Sequence, residues 1–364
     1  MKESVKVMIS GGGTGGHIFP ALSIADEIKK RYPKAQIEFV GAQDRMEMQK
    51  VPAAGYPIHG IQISGIQRTD WKKNLSFPVK LWKSLLRCKK LIREFNPDIV
   101  IGTGGFASGP LLWAAQLKNI PTVIQEQNSY PGITNKLLSG KAKNICVAYD
   151  GLEKWFPKQT IVKTGNPVRS KLLEISADSS AAALKLGLSP EKPIVLILGG
   201  SLGARAINRA VANSYSSWLD DGYQVLWQCG KIYVDALQED IPQREGLIIT
   251  DFIQDMNTAY EAASITLSRA GAGTLSELAI VGKPAILIPS PNVAEDHQTK
   301  NAKAFSDIGA AILLPESEAD QVGPTVEKLL KDQKTRDHMS QKISALAKPQ
   351  ATTEIVNCIN QWIK

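Results

Sequence analysis

Short apolar runs alternate with amphipathic stretches along nearly the whole chain. In the first half, the apolar runs predict strands at 5–10, 36–40, 58–63, 98–101, 122–125, 144–147 and 160–163. After a gap the pattern resumes and predicts strands at 194–198, 224–227, 247–250, 265–268 and 285–288. The stretches between them have helical periodicity, for example at 20–32 and 81–95. Regular alternation of strand and helix is typical of parallel sheets covered on both faces.

The gap in this pattern predicts a domain boundary. At 364 residues the chain is longer than one hydrophobic core usually supports, so two domains are expected. We place the boundary after Asn166, which leaves 1–166 as the first domain and 167–344 as the second. The last stretch, about 345–364, is predicted to be a helix that packs back on the first domain. The predicted fold class is therefore α/β, with two Rossmann-like domains.

A glycine-rich turn follows the first strand of each half. Residues 11–16 are Gly-Gly-Gly-Thr-Gly-Gly, and residues 199–203 are Gly-Gly-Ser-Leu-Gly. A strand, a turn without side chains and a helix place bare backbone N–H groups and a helix N-terminus around one anion-sized space. Two such turns predict two Rossmann-like domains that face a central cleft, with a phosphorylated ligand bound in it.

Polar side chains follow several of the predicted strands. His17 comes directly after the first glycine turn, where a neutral imidazole can accept a proton near pH 7, although a capping or packing role is also open. Further polar loops lie at 102–110, 125–128 and 268–277. Glu277 lies about one turn into a predicted helix, where its carboxylate can accept two hydrogen bonds from a ribose diol or remain solvated. Ligands of such sheets bind beyond the carboxyl ends of the strands, so these loops are expected to converge.

The first turn also matches the dinucleotide-binding pattern G-x-G-x-x-G, so a nicotinamide enzyme is an alternative. Glu38 lies at about the expected distance, but the strand continues past it and ends in Gly41-Ala42-Gln43, without an acid placed for a ribose hydroxyl. We therefore expect no cofactor. The sequence contains no Asp-x-Asp, so no metal clamp is predicted either. The charge of a diphosphate would be met by N–H groups, helix dipoles and a cation such as Arg169.

The net charge of +8 is unevenly distributed. Between residues 68 and 93, nine basic residues accompany one acid, Asp70. Helical spacing within this window predicts a core face formed by Leu81, Leu85, Cys88, Ile92 and Phe95. The other face is either an ordinary solvated surface or a surface that docks on an anionic membrane. The predicted membrane contacts are Leu75, Phe77, Lys80, Trp82 and Lys83. Nucleic acid is not predicted as a partner, because no nucleic-acid-binding motif is present.

The remaining composition excludes other classes of protein. The four cysteines are scattered without a C-x-x-C pair, which predicts neither a disulfide framework nor a structural zinc and fits a reducing cytoplasm. The sequence predicts no signal peptide, and no apolar run approaches the roughly 20 residues of a membrane span. A soluble or peripheral protein is expected.

Five motifs together resemble the MurG family of bacterial glycosyltransferases. They follow in the family's order over essentially the whole chain, at 12–21 (Gly-Gly-Thr-Gly-Gly-His-Ile-Phe-Pro-Ala), 126–128, 165–169, 199–204 and 269–277. The resemblance implies a GT-B fold and a metal-independent, inverting transfer of N-acetylglucosamine (GlcNAc). The donor would be UDP-GlcNAc, bound mainly by the C-terminal domain. The acceptor would be the N-acetylmuramic acid (MurNAc) 4-hydroxyl of lipid I, bound by the N-terminal domain. This step of peptidoglycan synthesis would take place at the cytoplasmic face of the cell membrane, with the protein bound peripherally.

The resemblance also implies roles for individual residues. His17 would be the base that takes the proton of the acceptor hydroxyl, with Glu126 assisting it or replacing it. The donor contacts would be Thr14, Gly15, Gly16, Asn128, Arg169, Ser201, Ile253, Ala272, Gly273, Thr274, Leu275, Ser276, Glu277 and Gln298. A UDP-GlcNAc 2-epimerase with the same fold and a non-catalytic sugar-nucleotide-binding module remain alternatives.

Overall fold

The chain forms two compact units, here called unit 1 and unit 2. The computed structural model describes residues 4–65, 75–174, 178–200, 202–293 and 296–363. Unit 1 comprises Met1–Arg169 together with Lys348–Lys364, and unit 2 comprises Ser170–Ala347. Among the described residues, no helix is both long and apolar enough to cross a lipid bilayer.

The described part of unit 1 contains a sheet of seven parallel strands in the order β3-β2-β1-β4-β5-β6-β7. The strands are β1 Lys6–Ser10, β2 Gln36–Ala42, β3 Ile58–Ile61, β4 Ile99–Gly102, β5 Thr122–Glu126, β6 Asn144–Val147 and β7 Ile161–Lys163. The helices that alternate with them are α1 Gly15–Arg31, α2 Glu47–Ala53, α3 Phe77–Phe95, α4 Ser108–Leu117 and α5 Ile133–Leu138. This is the predicted Rossmann-like arrangement.

The central strand β1 is buried on both faces, which explains why its sequence is continuously apolar. Val7 and Ile9 point to one face and pack in a core with Ile24 of α1. Met8 points to the other face and packs in a core with Leu85 of α3. The two-residue period of a strand sends neighbouring side chains to opposite faces, so each needs an apolar partner.

Unit 2 repeats this plan with six described parallel strands in the order β10-β9-β8-β11-β12-β13. The strands are β8 Ile194–Leu198, β9 Gln224–Gln228, β10 Leu247–Thr250, β11 Ile265–Ser268, β12 Ala285–Leu287 and β13 Ile312–Leu313. The helices are α6 Ser179–Lys185, α7 Arg205–Asp220, α8 Val234–Asp240, α9 Met256–Ala262, α10 Ala272–Val281, α11 His297–Ser306, α12 Val322–Lys331 and α13 Gln333–Ser344.

The last helix, α14 (Ala351–Asn360), belongs to unit 1. Its Ile355 and Ile359 are buried in the same core as α1. The guanidinium of Arg31 donates hydrogen bonds to the Asn357 side chain at 2.6 Å and to the Thr353 carbonyl at 3.0 Å. The chain thus returns to unit 1 after unit 2 is complete.

The strand order reverses between β1 and β4 in unit 1 and between β8 and β11 in unit 2. In an open parallel sheet, ligands bind beyond the carboxyl ends of the strands at such a reversal. Each glycine-rich turn follows the strand at the reversal, β1 or β8. The topology therefore places both turns where a ligand of this fold class binds.

Most predicted elements are present, and the differences have local causes. The helix predicted at 81–95 begins earlier, at Phe77, with Pro78 in its first turn, where a proline loses no intrahelical hydrogen bond. The short elements α2 and β13 were not predicted. Both are too short for a periodic pattern to stand out.

The N-cap of α9 yields a prediction about stability. The Asp255 carboxylate accepts hydrogen bonds from Lys185 Nζ at 2.6 Å and from the Thr258 hydroxyl at 2.8 Å and N–H at 3.2 Å. The hydrogen bond from Lys185, followed by those from Thr258, lowers the pKa of Asp255 from 3.8 to about 2. Asp255→Ala should reduce the free energy of unfolding by about 1 kcal/mol at pH 7, the usual contribution of an N-cap.

The pKa is lower in the folded state, so the Asp255 contribution is fully present above pH 3.8 and is lost as the pH falls toward 2. Urea denaturation of both proteins across this range should show the difference narrowing with acidification. Asp307→Ala, which removes the same charge at the C-terminus of α11, is the control. An equal loss of stability in the control, or a pH-independent difference, would contradict the assignment.

Candidate functional site

Two glycine-rich loops of unit 1 are in direct contact beyond the ends of β1 and β4. The Thr103 N–H donates to the Ser10 carbonyl at 2.9 Å, and the Thr103 hydroxyl donates to the His17 carbonyl at 2.7 Å. A Cβ at Gly11 would lie 1.8 Å from that hydroxyl oxygen, so only glycine fits there. The strand-order reversal thus joins the loop after β1 to the loop after β4.

The imidazole of His17 is held in one orientation by this second loop. Its Nδ1 lies 3.0 Å from the Thr103 carbonyl oxygen and 3.2 Å from Gln127 Oε1. Both partners are acceptors, so Nδ1 carries the hydrogen in the neutral ring and the lone pair is on Nε2. A Cβ at Gly104 would lie 2.9 Å from Nδ1, which requires a residue without a side chain beside the ring.

A buried network of amides extends from His17. The side-chain amide of Gln127 donates to the Thr103 carbonyl at 2.6 Å and to Gln125 Oε1, which fixes Gln127 Oε1 as the acceptor facing the imidazole. Gln125 in turn donates to Asn166 Oδ1 at 3.0 Å, and Asn166 donates back to the Gln127 carbonyl at 3.1 Å. The position of His17 is therefore tied to the predicted boundary segment at Asn166.

Glu126 lies next to this network in sequence, but its carboxylate faces its own loop. The residue is 1% exposed. Oε1 accepts from the Asn128 N–H at 3.0 Å and side-chain amide at 3.3 Å, while Oε2 accepts from the Gly132 N–H at 3.1 Å and the Asn135 amide at 2.8 Å. Glu126 thus holds the loop after β5 in shape and orients Asn128.

Glu47, at the start of α2, is a site residue that was not predicted. The end of β2 has no acid in sequence, yet the Glu47 carboxylate returns to it and accepts from the Ala42 N–H at 3.0 Å. It also accepts from the Gly13 N–H of the first glycine turn at 3.1 Å. Glu47 is fully buried, so it is not placed to bind a ribose. No sequence motif links Glu47 to Ala42 or Gly13, so the sequence did not indicate this contact.

The first turn of α1 contains three predicted donor contacts. Thr14 is the N-cap residue in extended conformation, and the helix begins at Gly15. Thr14 and Gly16 are exposed, whereas Gly15 is half-buried. The first N–H groups of a helix have no acceptor within the helix, so this end of α1 offers donors to an anion.

In unit 2, helix α10 begins at Ala272, directly after an extended N-cap at Gly271. Glu277 is half-buried one turn into the helix, and its Oε2 accepts from the Tyr260 hydroxyl at 3.0 Å. Tyr260 is itself buried, so its hydroxyl holds the carboxylate in place from the core side of the helix. The Ser276 hydroxyl donates to the Ala272 carbonyl at 2.9 Å. This end of α10 therefore combines a helix N-terminus with an oriented carboxylate.

Other predicted donor contacts of unit 2 have different surroundings. The side chains of Leu275 and Ile253 are buried in the core of the unit, so only their backbone groups remain for a ligand. Gln298 Oε1 accepts from the Ser290 N–H at 2.9 Å and braces the loop before α11. Gly273 and Thr274 are half-buried in the first turn of α10. Ser201 lies outside the described residues.

Arg169 ends the first segment of unit 1 and is half-buried. It directly follows the segment in which Asn166 joins the amide network. For the described parts of the chain, no group of three or more His, Cys, Asp or Glu side chains is arranged to hold a metal ion.

The exposed face of α3 carries a stripe of apolar side chains. Leu75, just before the helix, is 69% exposed and Trp82 is 62% exposed. Val79 and Leu86 are also exposed, and their spacing of three and four from Trp82 places these three side chains on one face of the helix. This set, with the adjacent Lys80, Lys83 and Arg87, is here called the α3 surface. Trp113 and Leu117 of the neighbouring α4 are exposed as well.

The core face of α3 was predicted correctly, whereas the predicted membrane contact at Phe77 stays a prediction. Leu85, Cys88, Ile92 and Phe95 are buried, and Leu81 packs partly buried against the same core. Phe77, the first residue of α3, packs partly buried against this core, as Leu81 does. The basic residues at 68, 72 and 73 lie outside the described residues.

Family comparisons agree with this architecture. The model of the glycosyltransferase family 28 N-terminal domain matches residues 7–147, and the model of the family 28 C-terminal domain matches residues 194–355. Each model thus covers most of one Rossmann-like sheet.

Curated relatives match over the full length. A protein of Christiangramia forsetii is 51% identical over 364 residues, covering 100% of this chain and 99% of the relative. A protein of Flavobacterium psychrophilum is 52% identical over 363 residues, with 100% and 99% covered. Both are named UDP-N-acetylglucosamine--N-acetylmuramyl-(pentapeptide) pyrophosphoryl-undecaprenol N-acetylglucosamine transferase.

Solved structures distinguish family from fold. The crystal structure of Acinetobacter baumannii MurG superposes with a TM-score of 0.76 at 31% identity, covering 98% of this chain and 99% of that one. A UDP-N-acetylglucosamine 2-epimerase shares the fold, with a TM-score of 0.68 over 98% and 95% of the two chains, but only 16% of the sequence. The chain therefore belongs to the MurG family of UDP-GlcNAc-dependent transferases, within glycosyltransferase family 28.

Proposed function

We propose that this chain transfers GlcNAc from UDP-GlcNAc to the MurNAc 4-hydroxyl of lipid I, with His17 as the general base, while the α3 surface rests on an anionic membrane. The observation that carries the proposal is the fixed orientation of His17. Two acceptors hold the hydrogen on Nδ1, so Nε2 is the nitrogen with the lone pair. A base needs that lone pair when the hydroxyl attacks.

The proposed reaction accounts for each proton, bond and electron pair. The acceptor hydroxyl gives its proton to His17 Nε2 as its oxygen forms a bond to the anomeric carbon of GlcNAc. The bond from that carbon to the UDP oxygen breaks, and the electron pair leaves with UDP. Attack opposite the leaving group inverts the anomeric centre. The buried amides of Gln127 and Gln125 support the base, because they keep the acceptor oxygen of Gln127 directed at Nδ1.

Glu126 is better suited to shaping the loop than to acting as the base. Its two oxygens accept four hydrogen bonds from the loop after β5, including two from Asn128. A carboxylate in that position would have to give up loop contacts before it could take a proton. Glu126 is therefore proposed to orient Asn128 for the donor sugar.

The donor nucleotide is proposed to bind unit 2 at the start of α10. The Glu277 carboxylate, held by Tyr260, accepts hydrogen bonds from the ribose hydroxyls. The N–H groups of the first turn of α10 and the helix dipole meet the negative charge of the diphosphate. Chemistry of this kind needs no metal, because backbone donors supply the charge stabilisation at the leaving group.

The α3 surface has the chemistry of a peripheral membrane contact. Apolar side chains enter the lipid interface while the basic residues beside them pair with anionic headgroups. The acceptor carries an undecaprenyl chain, so an enzyme docked in this way meets its substrate where it resides. A peripheral position at the cytoplasmic face of the membrane follows from this proposal.

The first prediction concerns the base. His17→Ala should lower kcat by roughly 10²- to 10⁴-fold, the usual contribution of general base catalysis. The dissociation constant of UDP-GlcNAc, measured by calorimetry, should change much less. The nucleotide is proposed to bind unit 2, and at the start of α1 backbone N–H groups, not the imidazole, would hold a ligand. His338→Ala, on the exposed face of α13, is the control and should keep full turnover. Normal turnover in a folded His17→Ala protein, together with loss in Glu126→Gln, would transfer the role to Glu126.

The second prediction concerns the donor. Glu277→Ala should weaken UDP-GlcNAc binding by about 1.5–3 kcal/mol, because the ribose hydroxyls lose a charged acceptor. This corresponds to a roughly 10- to 150-fold higher dissociation constant in calorimetry. Tyr260→Phe, which frees the carboxylate from its brace, should have a smaller effect in the same direction. Glu239→Ala on α8 is the control for a lost surface carboxylate. Unchanged affinity of Glu277→Ala for both UDP and UDP-GlcNAc would rule out this role.

The third prediction concerns the membrane. A variant of the α3 surface should lose co-sedimentation with vesicles rich in anionic lipid but keep turnover of a short-chain soluble acceptor. Binding of the unmodified protein should weaken with added salt, because surface charges are screened beyond about 8 Å at physiological ionic strength. The substitutions are Val79→Ser, Trp82→Ser, Lys83→Glu and Arg87→Glu.

A control with the same change in net charge, and with two exposed apolar side chains replaced as well, separates this surface from bulk electrostatics. It changes exposed positions of unit 2 only, with Leu184→Ser, Ile308→Ser, Lys334→Glu and Lys342→Glu. If both variants lose vesicle binding equally, the attraction is a property of net charge. If the α3 variant binds fully, the α3 surface is an ordinary solvated helix face.

A further inference from the structure

The first glycine turn already contains an anion, and it belongs to the protein. The Glu47 carboxylate lies against the turn, with Oε1 and Oε2 at 3.2 and 3.1 Å from the Gly13 nitrogen. Oε1 also accepts from the Ala42 N–H at 3.0 Å, so the side chain bridges the loop after β1 and the end of β2. Glu47 is fully buried.

Two glycines make room for this side chain. A Cβ at Gly12 would lie 2.2 Å from Glu47 Oε1, and a Cβ at Gly41 would lie 2.6 Å from Glu47 Cγ. Bare backbone at these positions therefore admits an internal carboxylate. A glycine turn of this kind usually admits the phosphate of a ligand.

Burying a carboxylate costs free energy unless it is hydrogen-bonded. We therefore expect Glu47 to have a specific role at this position. Its partners are backbone N–H groups, and charge-assisted hydrogen bonds of this kind hold a backbone more firmly than neutral ones. Gly13 has a φ of +90°, a conformation that the turn must maintain to lead into α1. Glu47 thus helps to hold the turn in the conformation that leads into α1.

The turn held by Glu47 and the imidazole of His17 both lie against Gly105 of the second loop. A Cβ at Gly105 would lie 2.2 Å from the Gly12 carbonyl oxygen and 3.1 Å from His17 Cδ2. The backbone of Gly12 and the ring of His17 therefore contact the same residue of the second loop. A shift of the Gly12–Gly13 peptide would move Gly105 and release the ring from its fixed position.

We propose that Glu47 is a positioning residue for His17: its carboxylate fixes the Gly12–Gly13 turn, and through Gly105 the turn fixes the ring that accepts the proton. The inference rests on the proposed role of His17 as base. It also assigns the Gly13 N–H to the protein itself, so that an anionic ligand at this end of unit 1 binds the start of α1 and not Gly13.

A double-mutant cycle between Glu47 and His17 tests the proposal. Glu47→Gln keeps the shape of the side chain but replaces one carboxylate oxygen with an NH₂ group. The N–H groups of Gly13 and Ala42 then lose a charged acceptor. The substitution should lower kcat by about 10-fold or more, since small displacements of a catalytic group have effects of up to about 100-fold. The dissociation constant of UDP-GlcNAc should stay within about twofold. In the His17→Ala background, Glu47→Gln should have almost no further effect, because residues that act through one group are not additive.

Two further measurements separate positioning from loss of the fold. Hydrogen–deuterium exchange of the peptide that contains Gly13 should accelerate in Glu47→Gln, while peptides of β8 and α10 keep their rates. Gly12→Ala, which displaces the carboxylate but keeps its charge, should reproduce the loss of kcat and its dependence on His17. Glu27→Gln, which removes a surface carboxylate from the helix that carries His17, should leave kcat unchanged.

The outcomes are distinct for each idea. Additive losses in the double variant, or full turnover of Glu47→Gln with unchanged exchange at Gly13, would overturn the positioning role. Full turnover of His17→Ala alone would overturn the proposed base, and the inference with it. A tenfold loss in Glu47→Gln that disappears in the His17→Ala background supports both.

Discussion

The parallel pairing of β1 with β4 is the constraint on which the rest of unit 1 depends. Strand order reverses at this pair, so the loop after β1 and the loop after β4 leave the sheet side by side. They then approach so closely that a Cβ at Gly11 or Gly105 would overlap the opposite loop. Hydrogen bonds of Thr103 to Ser10 and to His17 complete the contact. The catalytic candidate is thus held by backbone geometry more than by its own helix.

The candidate sites of the two units differ in chemistry. In unit 1, the Gly13 N–H is occupied by the buried Glu47, and the turn serves to hold His17. In unit 2, the proposed anion site lies at the start of α10, with the oriented carboxylate of Glu277 one turn further on. One turn therefore fits a role in placing a base, whereas the elements of unit 2 fit a role in binding a nucleotide. This division agrees with an acceptor domain and a donor domain.

The α3 helix has to satisfy two surfaces at once. Leu85, Cys88 and Ile92 face the core, whereas the stripe that contains Trp82 faces outward beside lysines and an arginine. An exposed apolar stripe flanked by one sign of charge is stable in water only because the core face anchors the helix. In the proposed function, this exposed stripe is the surface that contacts the membrane in which the lipid-linked acceptor resides.

Much of the fold was predictable from local patterns. Continuous apolar runs such as Ile194–Leu198 predicted buried parallel strands. The glycine turns after β1 and β8 predicted the ends of the sheets at which ligands bind. The helical period over α3 identified its core face, because burial on one side imposes that period on the sequence. The motifs around His17 and Glu277 were sufficient for the family.

The sequence by itself thus determined the two Rossmann-like sheets, the positions of the glycine turns and the residue types of the site. Only the tertiary structure decided which of those residues contact and hydrogen-bond one another. Glu47 is distant in sequence from Gly13 but adjacent to it in space, Glu126 holds its own loop, and Phe77 packs partly buried against the core. The physical reason is that hydrogen bonds and packing contacts between loops depend on which strands are neighbours. That order is a property of the folded sheet, and no local period of the sequence records it.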